Sequence, residues 1–253
     1  MADGARLNRC WVTLVLVACA PQPTPLEFFP VVGDEHFRCT SAWAEIGTTR
    51  SIIQPLDYRM TISEIELLSE KGPVKYELDE NSRQRNGLAL LDFEDGTGSC
   101  VGGTGETSFS VIGTPRGAGP FTGLQFRFGA AAPHTGSLAF LPDGLVDAQR
   151  PIGLQLALSS SANARWRIQY SGDGVVVRIE CYDPTKYIAF IDARILLAPF
   201  DVNAAAVAPD TLPGCGMAAD DVDCAPLGAV LNRTFAPSPY AVGSINHERH
   251  LKH

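Results

Sequence analysis

The chain has 253 residues, 45% of them hydrophobic and 8% aromatic, and a net charge of −8. That apolar content excludes wholesale disorder, and an acidic balance without a basic stripe excludes a protein that tracks the phosphate backbone, so no nucleic-acid partner is expected. Once an N-terminal address segment is set aside, the remaining length suits one all-β domain.

The address comes first. Arg6 and Arg9 precede an apolar run from Trp11 to Ala18, too short for a bilayer-spanning helix, which needs about 20 apolar residues, but suited to a signal peptide over residues 1–18. Leu16-Val-Ala-Cys19 has the form of a bacterial lipoprotein box, so Cys19 is the expected lipidation site and membrane attachment, with an ordinary cleaved signal as the alternative. Residues 19–25 carry Pro21, Pro23 and Pro25 and read as a tether that cannot be helical. The expected location is the periplasm or the cell surface.

Beyond the tether the dominant period is two, punctuated by Gly, Pro, Asn and Asp. Expected strands are Leu26–Val32, Tyr58–Leu67, Val74–Glu77, Ala89–Phe93, Ser108–Gly113, Leu124–Phe128, Trp166–Tyr170, Val175–Cys181 and Tyr187–Leu197. The Gly72-Pro73 turn predicts a hairpin between the second and third of these. Gly172-Asp-Gly174 predicts another, joining Trp166–Tyr170 to Val175–Cys181. Helical signals are few: Asp201–Ala208, opened by a good capping residue, and Ala218–Leu231. The fold class is mainly β, a single antiparallel β-sandwich-like domain over residues 26–235 with few short helices, followed by a disordered tail over 236–253.

The seven cysteines sort by position. Cys10 lies in the signal and Cys19 carries lipid, leaving Cys39, Cys100, Cys181, Cys215 and Cys224 in a space where disulfides persist. Cys215 and Cys224 close a short loop and are the easiest pair. Cys181 reads as a half-buried thiol in a sheet, with metal ligation as the minority reading.

Several groups bear on metal chemistry. His247, His250 and His253 recur every third residue in the tail, a spacing that would bring imidazoles to one face of a helix; a solvated tail with adventitious metal contacts is the blander alternative. Asp92, Glu94 and Asp95 stand on a glycine-containing turn, where hard oxygen ligands can hold calcium. Alternation sends Asp92 and Glu94 to one face. Alternatively, Asp95 shapes the turn through its own backbone while Asp92 or Glu94 pairs with a nearby arginine. His36, three residues before Cys39, is a weak metal pair. No Gly-x-Ser-x-Gly elbow, His-Glu-x-x-His or phosphate-binding glycine loop occurs, so an enzyme is not expected.

The segment Leu88-Ala-Leu-Leu-Asp-Phe-Glu-Asp-Gly-Thr-Gly-Ser-Cys100, continued by Val101-Gly-Gly-Thr-Gly-Glu-Thr107 and Gly119-Pro-Phe-Thr-Gly-Leu-Gln-Phe-Arg-Phe-Gly129, resembles the MbnP-like family of periplasmic copper-binding proteins associated with methanobactin operons. The resemblance is strong over residues 26–129, weak over 130–200, and returns over 201–231. It implies a disulfide between Cys39 and Cys100, supports the Cys215–Cys224 pair, and implies copper as cofactor with a di-haem cytochrome c peroxidase-like partner. The family's copper is held by histidines and by a tryptophan oxidised to kynurenine, in a Trp-x-His motif just before the Leu-Leu-Asp-Phe-Glu segment. Arg83 and Arg85 stand there in this chain, and a guanidinium has no lone pair to give. A second family histidine falls at His134, the carried-over ligand candidate. The aromatic residues expected after it are replaced by Leu156-Ala-Leu-Ser-Ser-Ser-Ala-Asn-Ala-Arg165. The reading is therefore a metal-handling MbnP-like lipoprotein with a degenerate copper site, or a non-metal structural or ligand-binding lipoprotein on the same scaffold.

Overall fold

The computed structural model describes residues 23–130, 135–143, 145–147, 150–170, 175–205, 214–215 and 224–238. In chain order the strands begin with β1 (Leu26–Val32), β2 (Glu35–His36), β3 (Trp43–Ile46), β4 (Ser51–Ser69), β5 (Gly72–Leu78), β6 (Gln84–Arg85), β7 (Leu88–Asp92), β8 (Ser110–Val111) and β9 (Gly113–Pro115). They continue with β10 (Gly123–Phe128), β11 (Val146–Asp147), β12 (Arg150–Pro151), β13 (Leu154–Ser160), β14 (Trp166–Tyr170), β15 (Val176–Glu180) and β16 (Ile188–Asp192). Helix α1 (Ala193–Leu197), β17 (Gly214–Cys215), helix α2 (Ala225–Thr234) and β18 (Phe235–Ser238) complete the set.

The 19-residue β4 organises the larger sheet, β15-β10-β4-β13-β14-β17. One edge of β4 takes β13 and then β10; the other takes β3, β7 and β5 in turn. Pro55 is tolerated within it because the register with β13 shifts beside that residue, where a missing donor breaks no ladder bond. The smaller sheet runs β18-β16-β1-β2, with β8 also on β1. Pairing is antiparallel except for β1 with β16 and β14 with β17. The two sheets meet through Phe28 of β1, Phe126 of β10 and Phe235 of β18, with ring centroids 5.7 and 5.2 Å apart. Each such buried ring contributes on the order of 1.5–3 kcal/mol. The result is a mainly β, sandwich-like domain with two disulfides, Cys39–Cys100 and Cys215–Cys224. Among the described residues no helix is long and apolar enough to cross a membrane.

Several expectations are corrected. The last expected strand stops at Asp192, whose carboxylate accepts from Arg194 N at 2.8 Å and caps α1, so Ala193–Leu197 is helix. Asp201 accepts from Asn203 N at 2.9 Å and makes a turn instead of opening a helix over 201–205; 206–208 lie outside the described residues. The later helix starts at Ala225 with a proline in its first turn and runs to Thr234, with 218–223 outside the described residues. The second hairpin is absent: β14 pairs β13 and β17, and β15 pairs β10. Ser108–Gly113 is broken into β8 and β9. Cys181 is exposed and free, one residue past β15 and at φ +58°, instead of half-buried within it. Strand β13 was not anticipated. At the ends, Thr24 is tied to the domain through Gly113 O at 2.9 Å, and β18 carries the sheet to Ser238.

Candidate functional site

Because side chains alternate along a strand, the register of β7, β4, β13 and β14 places Asp92, Arg59, Gln155 and Gln169 side by side on one face. All four are buried. Leu138, Leu141, Leu145 and Ile152 cover the neighbouring part of that face, packing on Leu88 and Leu90. Burial of a polar row is tolerable only when its members satisfy one another. Arg59 donates twice to Asp57, Nε to Oδ1 at 2.7 Å and Nη2 to Oδ2 at 2.5 Å. Gln155 Nε2 donates to the same carboxylate, and Gln169 Nε2 donates to Gln155 Oε1 at 3.5 Å. Burial works against the Arg59 charge, but the Asp57 hydrogen bond and the charges of Asp57, Asp92 and Glu94 hold its pKa above the ordinary value.

The glycine-rich loop after β7 closes over the end of this row. Glu94 is fully buried and accepts from Gly96 N at 2.9 Å and Thr104 N at 2.6 Å. The loop backbone lies so close to its carboxylate that a Cβ on Gly103 would overlap it. Thr104 Oγ1 donates to Asp92 Oδ2 at 2.7 Å. Arg83 reaches in from the bend just before β6, placing Nη1 3.4 Å from Asp92 Oδ2 while Nη2 binds Glu106 O at 3.1 Å and Glu106 Oε2 at 3.2 Å. Asp92 Oδ1 is buried without a hydrogen-bond partner. Burial pushes the Asp92 carboxyl up to about 6, with the Glu94 charge adding to the rise and Thr104, Arg59 and Arg83 opposing it.

The structure therefore brings Asp92 and Glu94 to one buried face, as alternation predicts, and sends Asp95 elsewhere. Asp95 Oδ1 accepts from Thr97 N at 3.0 Å and Thr97 Oγ1 at 2.7 Å, shaping its own turn. Arg83 and Arg85 part company: the first enters the cluster, the second is exposed and donates to Asn81 O at 3.3 Å. Trp43 packs on Phe37 and Trp166 on Phe200, both in the core. His36 sits exposed in β2 against Phe29. Cys19, His134, His247, His250 and His253 lie outside the described residues.

Thr104, Glu106 and the Asp57–Arg59–Gln155 group went unrecognised in the sequence; the charged residues at alternate positions of β4 were the available signal. Among the described residues no group of three or more His, Cys, Asp or Glu could hold a metal. Copper does not fit the Arg83–Arg85 window, where a guanidinium is already committed to two carboxylates and carries no lone pair.

No model of a known protein family matches the chain, and no curated protein matches it. Among solved structures the fold is similar to MbnP from Methylosinus trichosporium, with a TM-score of 0.64 and 18% identity over 82% of this chain and 87% of that one. At that identity the likeness extends to the fold: this chain has a distant MbnP-like β architecture.

Proposed function

We propose that the chain is an exported, lipid-anchored, metal-handling protein of the MbnP-like family whose copper window is degenerate. The fold likeness over most of both chains supports the family reading, as does the Leu-Leu-Asp-Phe-Glu segment at the centre of the buried cluster. The observation that carries the degeneracy is Arg83, which occupies the window as the counter-ion of Asp92 and Glu106. Copper is then assigned to imidazoles outside that window, with His134 first. A di-haem peroxidase-like partner would find no tryptophan at position 83, and both Trp43 and Trp166 are enclosed by the core. Calcium at Asp92, Glu94 and Asp95 forms no part of this reading, because Asp95 turns to Thr97 and the three carboxylates do not come together as a metal-holding group.

The test is copper titration of the processed chain carrying alanine at His247, His250 and His253, with and without His134→Ala. Stoichiometric copper that disappears with His134 supports the proposal; absence of any stoichiometric metal refutes it. A second reading, a non-metal ligand-binding lipoprotein on this scaffold, is favoured by the same Arg83 contacts and gains from the second result.

A further inference from the structure

Beside the row of Arg59, Gln155 and Gln169, the same face of the larger sheet carries Asp57 on β4, Ala157 on β13 and Arg167 on β14, aligned by register. Gly214 of β17 stands on the other flank of Arg167. Neither cross-strand neighbour of Arg167 therefore has a polar side chain. Arg167 is half-buried, and Arg165, one residue before β14, is exposed. Burial and the Arg165 charge together hold the Arg167 guanidinium below its ordinary pKa, as happens to a cation that lacks a counter-charge. Arg59, Arg83 and Arg127, which this sheet also buries in whole or in part, are each matched by a carboxylate. Among the described residues neither Arg165 nor Arg167 makes an ion pair or a side-chain hydrogen bond. Asp57, the carboxylate in the row of Arg167, is already occupied by Arg59 and Gln155.

Two neighbouring guanidinia offer donors and no acceptor, so they select a ligand that only accepts, and their planar forks match oxyanion geometry. One carboxylate would answer one cation and leave the other unmatched. A dianion answers both. Ser159, half-buried and on the same face by alternation along β13, adds a hydroxyl. The chain's net charge of −8 opposes an anionic bilayer, which favours a small soluble ligand. We propose that Arg165 and Arg167 form a binding site for a dianionic phosphoryl group, carried by inorganic phosphate or a small phosphate ester. The site shares no residue with the Arg83 window or with His134, so it stands whatever the copper titration shows.

The probe is inorganic phosphate at pH 8, titrated into the processed chain with a chelator present and followed by calorimetry and by the Nε–Hε shifts of the arginine side chains. Saturable binding is expected, with shifts concentrated at Arg165 and Arg167. Affinity should fall roughly tenfold or more on Arg167→Gln and weaken with added sodium chloride. Arg165→Gln should also weaken binding, while the thermal midpoint of the unliganded variant stays level or rises because a like charge has been removed. Equal binding of acetate, indifference to Arg167→Gln, or no saturation would each overturn the proposal. A lowered midpoint of unliganded Arg165→Gln would overturn the unmatched-charge argument on which it rests. Preference for vesicles containing phosphatidic acid over free phosphate would overturn the assignment of a soluble ligand.

Discussion

Asp92→Asn isolates the energetic consequence of burying a carboxylate whose pKa rises from 3.8 to about 6. A raised acid pKa means that the native state keeps a proton the unfolded chain has already lost. Its contribution to stability is fully present below pH 3.8 and is lost as pH rises through about 6. The shift of about two units corresponds to about 3 kcal/mol. Asparagine removes this dependence but places an amide where Oδ1 has no partner, at a pH-independent cost of about 1–2 kcal/mol. The difference between the variant's effects at two pH values cancels that cost. Urea unfolding of both proteins at pH 4 and pH 7.5 should show the variant improving relative to the parent by about 2.4 kcal/mol across the interval, since at pH 4 the unfolded carboxyl is already more than half ionised. A change under about 1 kcal/mol, or one of opposite sign, would mean that Arg83 and Arg59 compensate the carboxylate fully and that burial is not the dominant cause.

Arg83→Met should destabilise the protein at pH 7.5 by about 2–3 kcal/mol, because it strands the buried Asp92 charge; combined with Asp92→Asn most of that loss should vanish in a double-mutant cycle by urea unfolding. Gly103→Ala should cost about 1–3 kcal/mol, since its Cβ would meet the Glu94 carboxylate, and hydrogen exchange should rise over residues 94–106. Replacing Cys39 and Cys100 together by alanine opens a crosslink spanning 61 residues, which chain entropy values at about 4 kcal/mol, read as a lowered urea midpoint.

Legibility in the sequence follows locality. Strands β1 and β14 and the β4–β5 hairpin come straight from alternation and a Gly-Pro turn, signals confined to a few residues. Asp92 and Glu94 share a face because period two fixes it. Strand β13 was legible and was missed: Leu154-Gln-Leu-Ala-Leu158 sets leucine at every second position, but the run is short and no turn residue precedes its first leucine except Gly153. The hairpin expected across Gly172–Gly174 failed because β14 folds back on the preceding strand β13, while β15 pairs with β10, far away in sequence. Helix α1 hides in an apolar run whose only signal is the Asp192 cap. The cluster was half legible: its strand carboxylates follow from register, but Thr104 and Glu106 are delivered by a loop without period, and Arg83 stands in a bend before the two-residue β6.

Charge balance links the altered window to the carboxylate beneath it. Asp57 is saturated by Arg59 and Gln155, so Arg59 cannot be released to Asp92 without stranding a second buried charge. Within salt-bridge distance of Asp92, the cation present among the described residues is Arg83. A tryptophan at position 83 would be neutral, and an ionised Asp92 would then need its positive charge from elsewhere, a bound metal being one supplier. In this chain the guanidinium supplies it permanently, at any pH the carboxyl can experience. The Arg83 contact is therefore part of what allows the carboxylate end of β7 to stay buried, and position 83 and the buried carboxylate form one electrostatic arrangement.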